Sequence, residues 1–246
     1  MNLRRRRTRL IALLPVRDDA PYLPGLFANL RGQVDAVVAL DDGSSDGSGE
    51  ILAAEPLVVD LLPEQRDGDS WNDAVNHRRL VEAAWEHAPD WLLGIDADER
   101  VERGFRRRAE RVFAQARRDG VSAYRVAVRE LWDDPARFRA DGIFGQKSKA
   151  CLFRALPGAH EFDERELHGH WAPLDHAQGD TFPPADLIIY HLRMLHAADR
   201  RARQERYERL DPLRRMQTIG YDYMTQVDGL VLEPLPRGRG YVPVAH

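Results

Sequence analysis

Ala36-Val37-Val38-Ala39-Leu40 runs directly into Asp41-Asp42-Gly43-Ser44-Ser45-Asp46-Gly47-Ser48, and Trp91-Leu92-Leu93-Gly94-Ile95 runs directly into Asp96-Ala97-Asp98-Glu99. Five apolar residues without a polar interruption predict a strand buried on both faces. Leu10-Ile11-Ala12-Leu13-Leu14, ended by Pro15, and Leu57 to Leu62 read the same way. Between them lie helical stretches. Pro21–Arg31 carries Leu23, Leu26, Phe27 and Leu30 at helical spacing, and Ser48–Ala54 offers Ser48 as a cap. Trp71–His87 turns Ala74, Leu80, Val81, Ala84 and Trp85 inward. Strand and helix in strict alternation predict an α/β fold with a parallel sheet covered on both faces.

The pattern changes after Glu99. Val101, Phe105, Val112, Phe113 and Ala116 mark a helix closed by Gly120. Tyr124, Val126 and Val128 alternate with Arg125, Ala127 and Arg129, which predicts a half-exposed strand at an antiparallel edge. Asp133 to Pro184 reads as loop-rich, Leu187 to Tyr190 as a last buried strand, and Arg200 to Met216 as a helix whose arginines face solvent. The tail from Glu233 reads as irregular. One mixed domain over 1–246 is expected, with halves at about 9–99 and 100–195 and a C-terminal helix and tail over 196–246.

The net charge is −4 over 246 residues, so no nucleic-acid partner is expected. The single cysteine, Cys151, permits no intrachain disulfide and fits a reducing cytoplasm. Leu10–Val16 is too short to span a bilayer, and no cleavage site follows, so no signal peptide is expected. The preceding Arg4, Arg5, Arg6, Arg7 and Arg9 read as a solvated terminus, with weak peripheral contact to anionic lipid at the inner membrane face as the alternative.

Both acidic clusters fall at the carboxyl edge of the sheet, where ligands bind in such folds. Asp96 and Asp98 point two carboxylates to one side of an extended backbone, which suits Mg2+ or Mn2+; the plain alternative is a helix start decorated with acids. In the first cluster a carboxylate can accept from a base N–H or a ribose hydroxyl. A calcium loop fails, because Ala53 stands where a bidentate glutamate is needed. Zinc is not expected, with no cysteine pairing and no HExxH. No GxGxxG, Walker or GxSxG motif is present, which counts against dehydrogenase, NTPase and esterase.

The strand with Pro15, the strand ending in DDGSSDGS and the strand ending in DADE together resemble the family 2 glycosyltransferases between Leu10 and Glu99. The resemblance implies a GT-A fold: a mostly parallel sheet with helices on both faces and a small antiparallel acceptor-side part. It implies a nucleotide diphosphate-sugar donor and a divalent metal. Pro15 and Arg17 would line the nucleotide pocket, and Asp41 or Asp42 would hold base or ribose. Asp96 and Ala97 would lie by the ribose or sugar, and Asp98 would bind the metal. Arg78 or Arg79 would meet the diphosphate, unless they are plain surface arginines. In the second half, Ile189-Tyr190-His191 resembles a strand whose histidine completes the metal shell. Leu167-His168-Gly169-His170-Trp171 resembles a segment that often reads His-Glu, with Gly169 replacing the glutamate. The base for the acceptor hydroxyl would come from Glu161 to Glu166, with Glu164 or Glu166 the choice. The acceptor, whether glycan, lipid-linked or small molecule, would sit by Trp132 and Trp171. A nucleotidylyltransferase and a non-catalytic nucleotide-sugar-binding scaffold are the rival readings.

Overall fold

The computed structural model describes residues 7–63, 71–166, 169–179, 181–215, 217 and 219–242. Arg4, Arg5, Arg6, Leu167, His168 and Met216, all used in the readings above, lie outside the described residues.

The uninterrupted apolar runs become the centre of the sheet. β1 (Leu10–Val16), β2 (Ala36–Asp41), β3 (Val58–Leu62) and β4 (Trp91–Gly94) pair in parallel in the order β3-β2-β1-β4. Every residue of β1 and β4 is buried. Pro15 is inside β1 and does not end it. Its missing N–H does no damage, because the pairing with β4 stops at Leu13↔Gly94. α1 (Leu23–Leu30), α2 (Ser48–Ala54) and α3 (Asp73–Trp85) connect these strands. Right-handed crossovers put α1 and α2, which touch, on one face and α3 on the other, against β1 and β2. Ser48 is not the cap of α2. Gly47 holds that place at φ 91°, and the Ser48 hydroxyl bonds Asp46 and the Asp19 N–H instead.

The second half continues the same sheet. β8 (Ser148–Arg154) pairs antiparallel with β4, β6 (Ala123–Glu130) antiparallel with β8, β9 (Pro184–His191) parallel with β6, and β5 (Glu99–Val101) antiparallel with β9. Four of the seven pairings within this eight-stranded sheet are parallel, so the expected class, a mostly parallel sheet with helices on both faces and an antiparallel part, is the one observed. β6 is interior rather than an edge. Its alternating arginines do not need an edge, because an arginine stem can lie on apolar surface: the Arg129 guanidinium rests over the Phe138 ring at 5.2 Å. The stretch read as loop-rich contains β8, β7 (Arg137–Arg139) and the short α5 (Gly142–Gly145). α4 (Phe105–Asp119) closes on Gly120 at φ 71°. α6 (Ala197–Leu210) ends earlier than expected, and the tail supplies β10 (Leu232–Pro234), paired with β7. Among the described residues no helix is long and apolar enough to cross a membrane.

At the end of β4 the backbone is held close to an aromatic ring. A Cβ on Gly94 would come 2.1 Å from the Trp171 ring. Gly94→Ala is therefore expected to lower stability by about 1–3 kcal/mol through overpacking. Urea unfolding measures this, and an unchanged midpoint would show that Trp171 does not rest on Gly94.

Candidate functional site

A cavity of about 350 Å³ opens at the carboxyl ends of β1 and β4. β1 brings Pro15 and, just beyond its end, Arg17; the turn after β4 brings Asp96, Ala97, Asp98 and Glu99. β8 contributes Ser148 and Lys149, with Lys147 just before it. β9 ends on His191, followed by Arg193, and α6 lays Arg203, Arg206 and Tyr207 along the opening. α3 adds Asp73 and His77, and the loop before β9 adds Gly169, His170 and Trp171.

Strand register explains the polar centre. Glu99 on β5 pairs with His191 on β9, and His191 pairs with Glu130 on β6. All three are buried. His191 Nδ1 bonds Glu130, and Nε2 lies 3.2 Å from Asp98 Oδ2. Arg193 Nε donates to the same Asp98 oxygen at 2.7 Å, and Arg203 approaches it to 3.8 Å. Arg193 also bonds Asp19, and Lys147 bonds Glu130. Lys149 Nζ bridges Glu99 at 2.5 Å and Asp96 at 3.2 Å.

These contacts set the protonation states. Burial opposes the Asp98 charge, but His191 and Arg193 hold the carboxyl well below its usual range. Burial alone would lower the His191 pKa, yet Glu130 and Asp98 outweigh it and raise the value to about 9. Burial raises Glu99 to about 7 against the pull of Lys149, and raises Asp19 to about 6 against Arg193. Burial also lowers His77 to about 4.

The residues singled out from sequence divide into three groups. Pro15, Arg17, Asp96, Ala97, Asp98 and His191 come together at the cavity. Asp41 and Asp42 do not line it. Asp41 accepts from the Ser44 N–H at 2.9 Å, and Asp42 is fully buried with Arg17 Nη1 3.9 Å from it, so this cluster acts behind Arg17. Arg78, Arg79, Glu164 and Glu166 stand outside. The buried stripe of α3 runs through Ala74, His77, Leu80, Val81 and Ala84, which turns Arg78 over the Phe162 ring and Arg79 to the Pro63 carbonyl. Glu164 and Glu166 are exposed; the buried acid of that segment is Asp163, held by Arg165 and the His170 N–H. Trp132 does not line the cavity either; it is fully buried beneath Arg139 and Arg200.

Sequence reasoning missed Asp19, Asp73, His77, Lys149, Arg193, Arg203 and Arg206. His77 had a signal, since Ala74, His77, Leu80 and Ala84 follow helical spacing. Its ring stacks on Trp171 at 3.7 Å. The two lysines of the chain both reach this site.

As placed, Asp98 and His191 do not fit a divalent cation. Each His191 nitrogen faces a carboxylate oxygen, which takes up both in-plane positions where a metal would bind. Asp96 and Glu99 share Lys149, and among the described residues no group of three potential ligand atoms gathers at Asp98. Cationic side chains compensate the carboxylates instead.

No protein-family model matches the chain. It is 27% identical over 212 residues to an uncharacterized protein of Mycobacterium tuberculosis, covering 83% of this chain and 51% of the relative. It is 23% identical over 120 residues to an uncharacterized glycosyltransferase of Rickettsia felis, covering 49% of this chain and 39% of the relative. Among solved structures, S. aureus TarS has 12% identity and a TM-score of 0.49, over 82% of this chain and 40% of TarS. The chain spans about half the length of the mycobacterial relative it matches.

His191 makes stability depend on pH in a definite direction. Its pKa is raised from 6.5 to about 9, so its contribution is complete below about pH 6.5 and disappears as pH rises through about 9. Denaturant unfolding is expected to show a loss on the order of 3 kcal/mol between pH 6.5 and 9.5, with His191→Gln flattening the slope. Equal slopes in both proteins would remove His191 as the cause.

Proposed function

We propose that the chain transfers a sugar from a nucleotide diphosphate-sugar to an acceptor hydroxyl, on a GT-A-type fold of the family 2 kind. The observation that best supports this is the meeting of Lys147, Arg193, Arg203 and Arg206 with the Asp96–Glu99 turn in one cavity at the carboxyl edge. The nucleotide would lie against Pro15 and Arg17, with Asp42 and Asp41 fixing that wall from behind. Asp96 and Ala97 would face the ribose and sugar.

The acceptor oxygen attacks the anomeric carbon while the bond from that carbon to the phosphate oxygen breaks. The bonding electrons leave with the nucleoside diphosphate. Preorganised cations at the leaving oxygen lower this barrier, and Arg193, Arg203 and Lys147 would take that role. No step is assigned to a divalent ion.

The hydroxyl proton needs a base within reach. We assign it to Asp73, in place of Glu164 or Glu166. Asp73 lines the cavity, and a Cβ at Gly169 would lie 3.8 Å from the Asp73 Cβ. The resemblance places a glutamate at position 169, so the start of α3 would supply the carboxylate that Gly169 lacks. The acceptor, whether glycan, lipid-linked or small molecule, would enter beside Trp171. The lone, buried Cys151 fits a cytoplasmic setting.

A thermal-shift panel of UDP, GDP and dTDP, with CMP as control, tests the donor site. One diphosphate at a hundred times its Kd is expected to add about 2.7 kcal/mol, with or without manganese. Arg193→Ala should abolish the shift. No shift with any diphosphate in folded protein would end the donor-site reading, and a shift only with manganese would restore the metal.

Turnover tests the base. Asp73→Asn is expected to lower kcat about 10²–10⁴-fold while keeping the nucleotide shift, with Glu164→Gln and Glu166→Gln near wild type. An active Asp73→Asn would remove it from the mechanism.

A further inference from the structure

His160, Asp175 and His176 stand at the other end of β8, away from the cavity, near Phe153 and Ser122. One ligand atom from each lies within 4.8 Å of the others. His160 faces two acceptors at once. Its Nε2 is 2.7 Å from the Leu156 carbonyl, and its Nδ1 is 2.9 Å from Asp175 Oδ2. A neutral imidazole has a single N–H. Donation from Nε2 to the carbonyl fixes the tautomer and leaves the Nδ1 lone pair aimed at a carboxylate oxygen. Two acceptors face each other favourably only across a proton or a metal ion; a proton makes His160 the imidazolium partner of Asp175, and a metal ion can take that proton's place. A ring N–H given to a backbone carbonyl is also how metal-binding histidines are commonly oriented.

His176 supplies an independent observation. It is 3% exposed, and neither ring nitrogen makes a hydrogen bond of ordinary geometry among the described residues. A buried imidazole without partners is costly unless something occupies its lone pair. Its ring meets His160 edge-on with centroids 4.9 Å apart. Asp175 is oriented too: Oδ1 accepts from the Glu161 N–H at 3.1 Å, leaving Oδ2 to the cluster.

We propose that His160, Asp175 and His176 bind one zinc-class ion. Two imidazoles and one carboxylate suit Zn2+, or Co2+ as its probe, and do not suit Mg2+ or Ca2+, which take oxygen shells. Water fills the fourth position. The site joins both ends of the segment 161–173, which carries Gly169, His170 and Trp171 to the cavity. The ion is therefore a clamp at the base of that loop.

The test strips the full chain with a chelator and titrates Zn2+ by calorimetry, with Mg2+ as control and Co2+ absorption as the geometric readout. Wild type is expected to bind one Zn2+ with a tetrahedral Co2+ spectrum and a raised Tm. Removing a ligand should weaken binding at least tenfold. His176→Gln probes the buried ligand, and His160→Gln probes a more accessible one should the first fail to fold. No stoichiometric zinc in wild type, or unchanged zinc in folded His160→Gln, would overturn the site. Loss of stability in Asp175→Asn without any zinc dependence would likewise reduce the cluster to a His160–Asp175 ion pair.

Discussion

A charge taken out of water must find its partner inside the protein, and the row Asp98–His191–Glu130, at the ends of β5, β9 and β6, meets that demand with a single imidazolium. Slipping β9 by a residue would turn His191 to the other face and strand both carboxylates. The row therefore fixes register where hydrophobic pattern alone is weak, since β5 is only three residues long. It also draws in Arg193 and Lys147. The cavity's polar wall follows from that pairing.

The first half of the sheet was legible because its information is local. β1, β2 and β4 are continuous apolar runs, and such runs have few alternatives to a buried parallel strand. β8 and β5 were not legible. β8 joins the two halves through pairing with β4 and β6, distant in sequence, and its own first residues Ser148 and Lys149 are polar because they meet the cavity. The interior place of β6 was hidden by Arg125 and Arg129, whose composition suggests solvent.

The site was legible at the ends of the apolar strands and opaque on the helices. Asp96 and Asp98 follow directly from a strand end, and Pro15 from the family resemblance. Arginine on a helix carries no sign of which way it points, so Arg78 and Arg203 look alike in sequence although only Arg203 reaches the cavity. The acids at 164 and 166 were drawn to attention by density alone. Tertiary pairing then reserved the buried position for Asp163.

α6 has one feature with a wider reach. It walls the cavity with Arg203, Arg206 and Tyr207, yet only Arg200 on it is buried. Elements with few buried side chains open at a lower local cost than core strands. The attachment of α6 to the sheet runs largely through charge, Arg203 toward Asp98 and Arg200 toward Asp133. An anion entering the cavity would add a third tether. Amide exchange along α6 would then slow on binding, and the helix that frames the opening would report whether the cavity is filled.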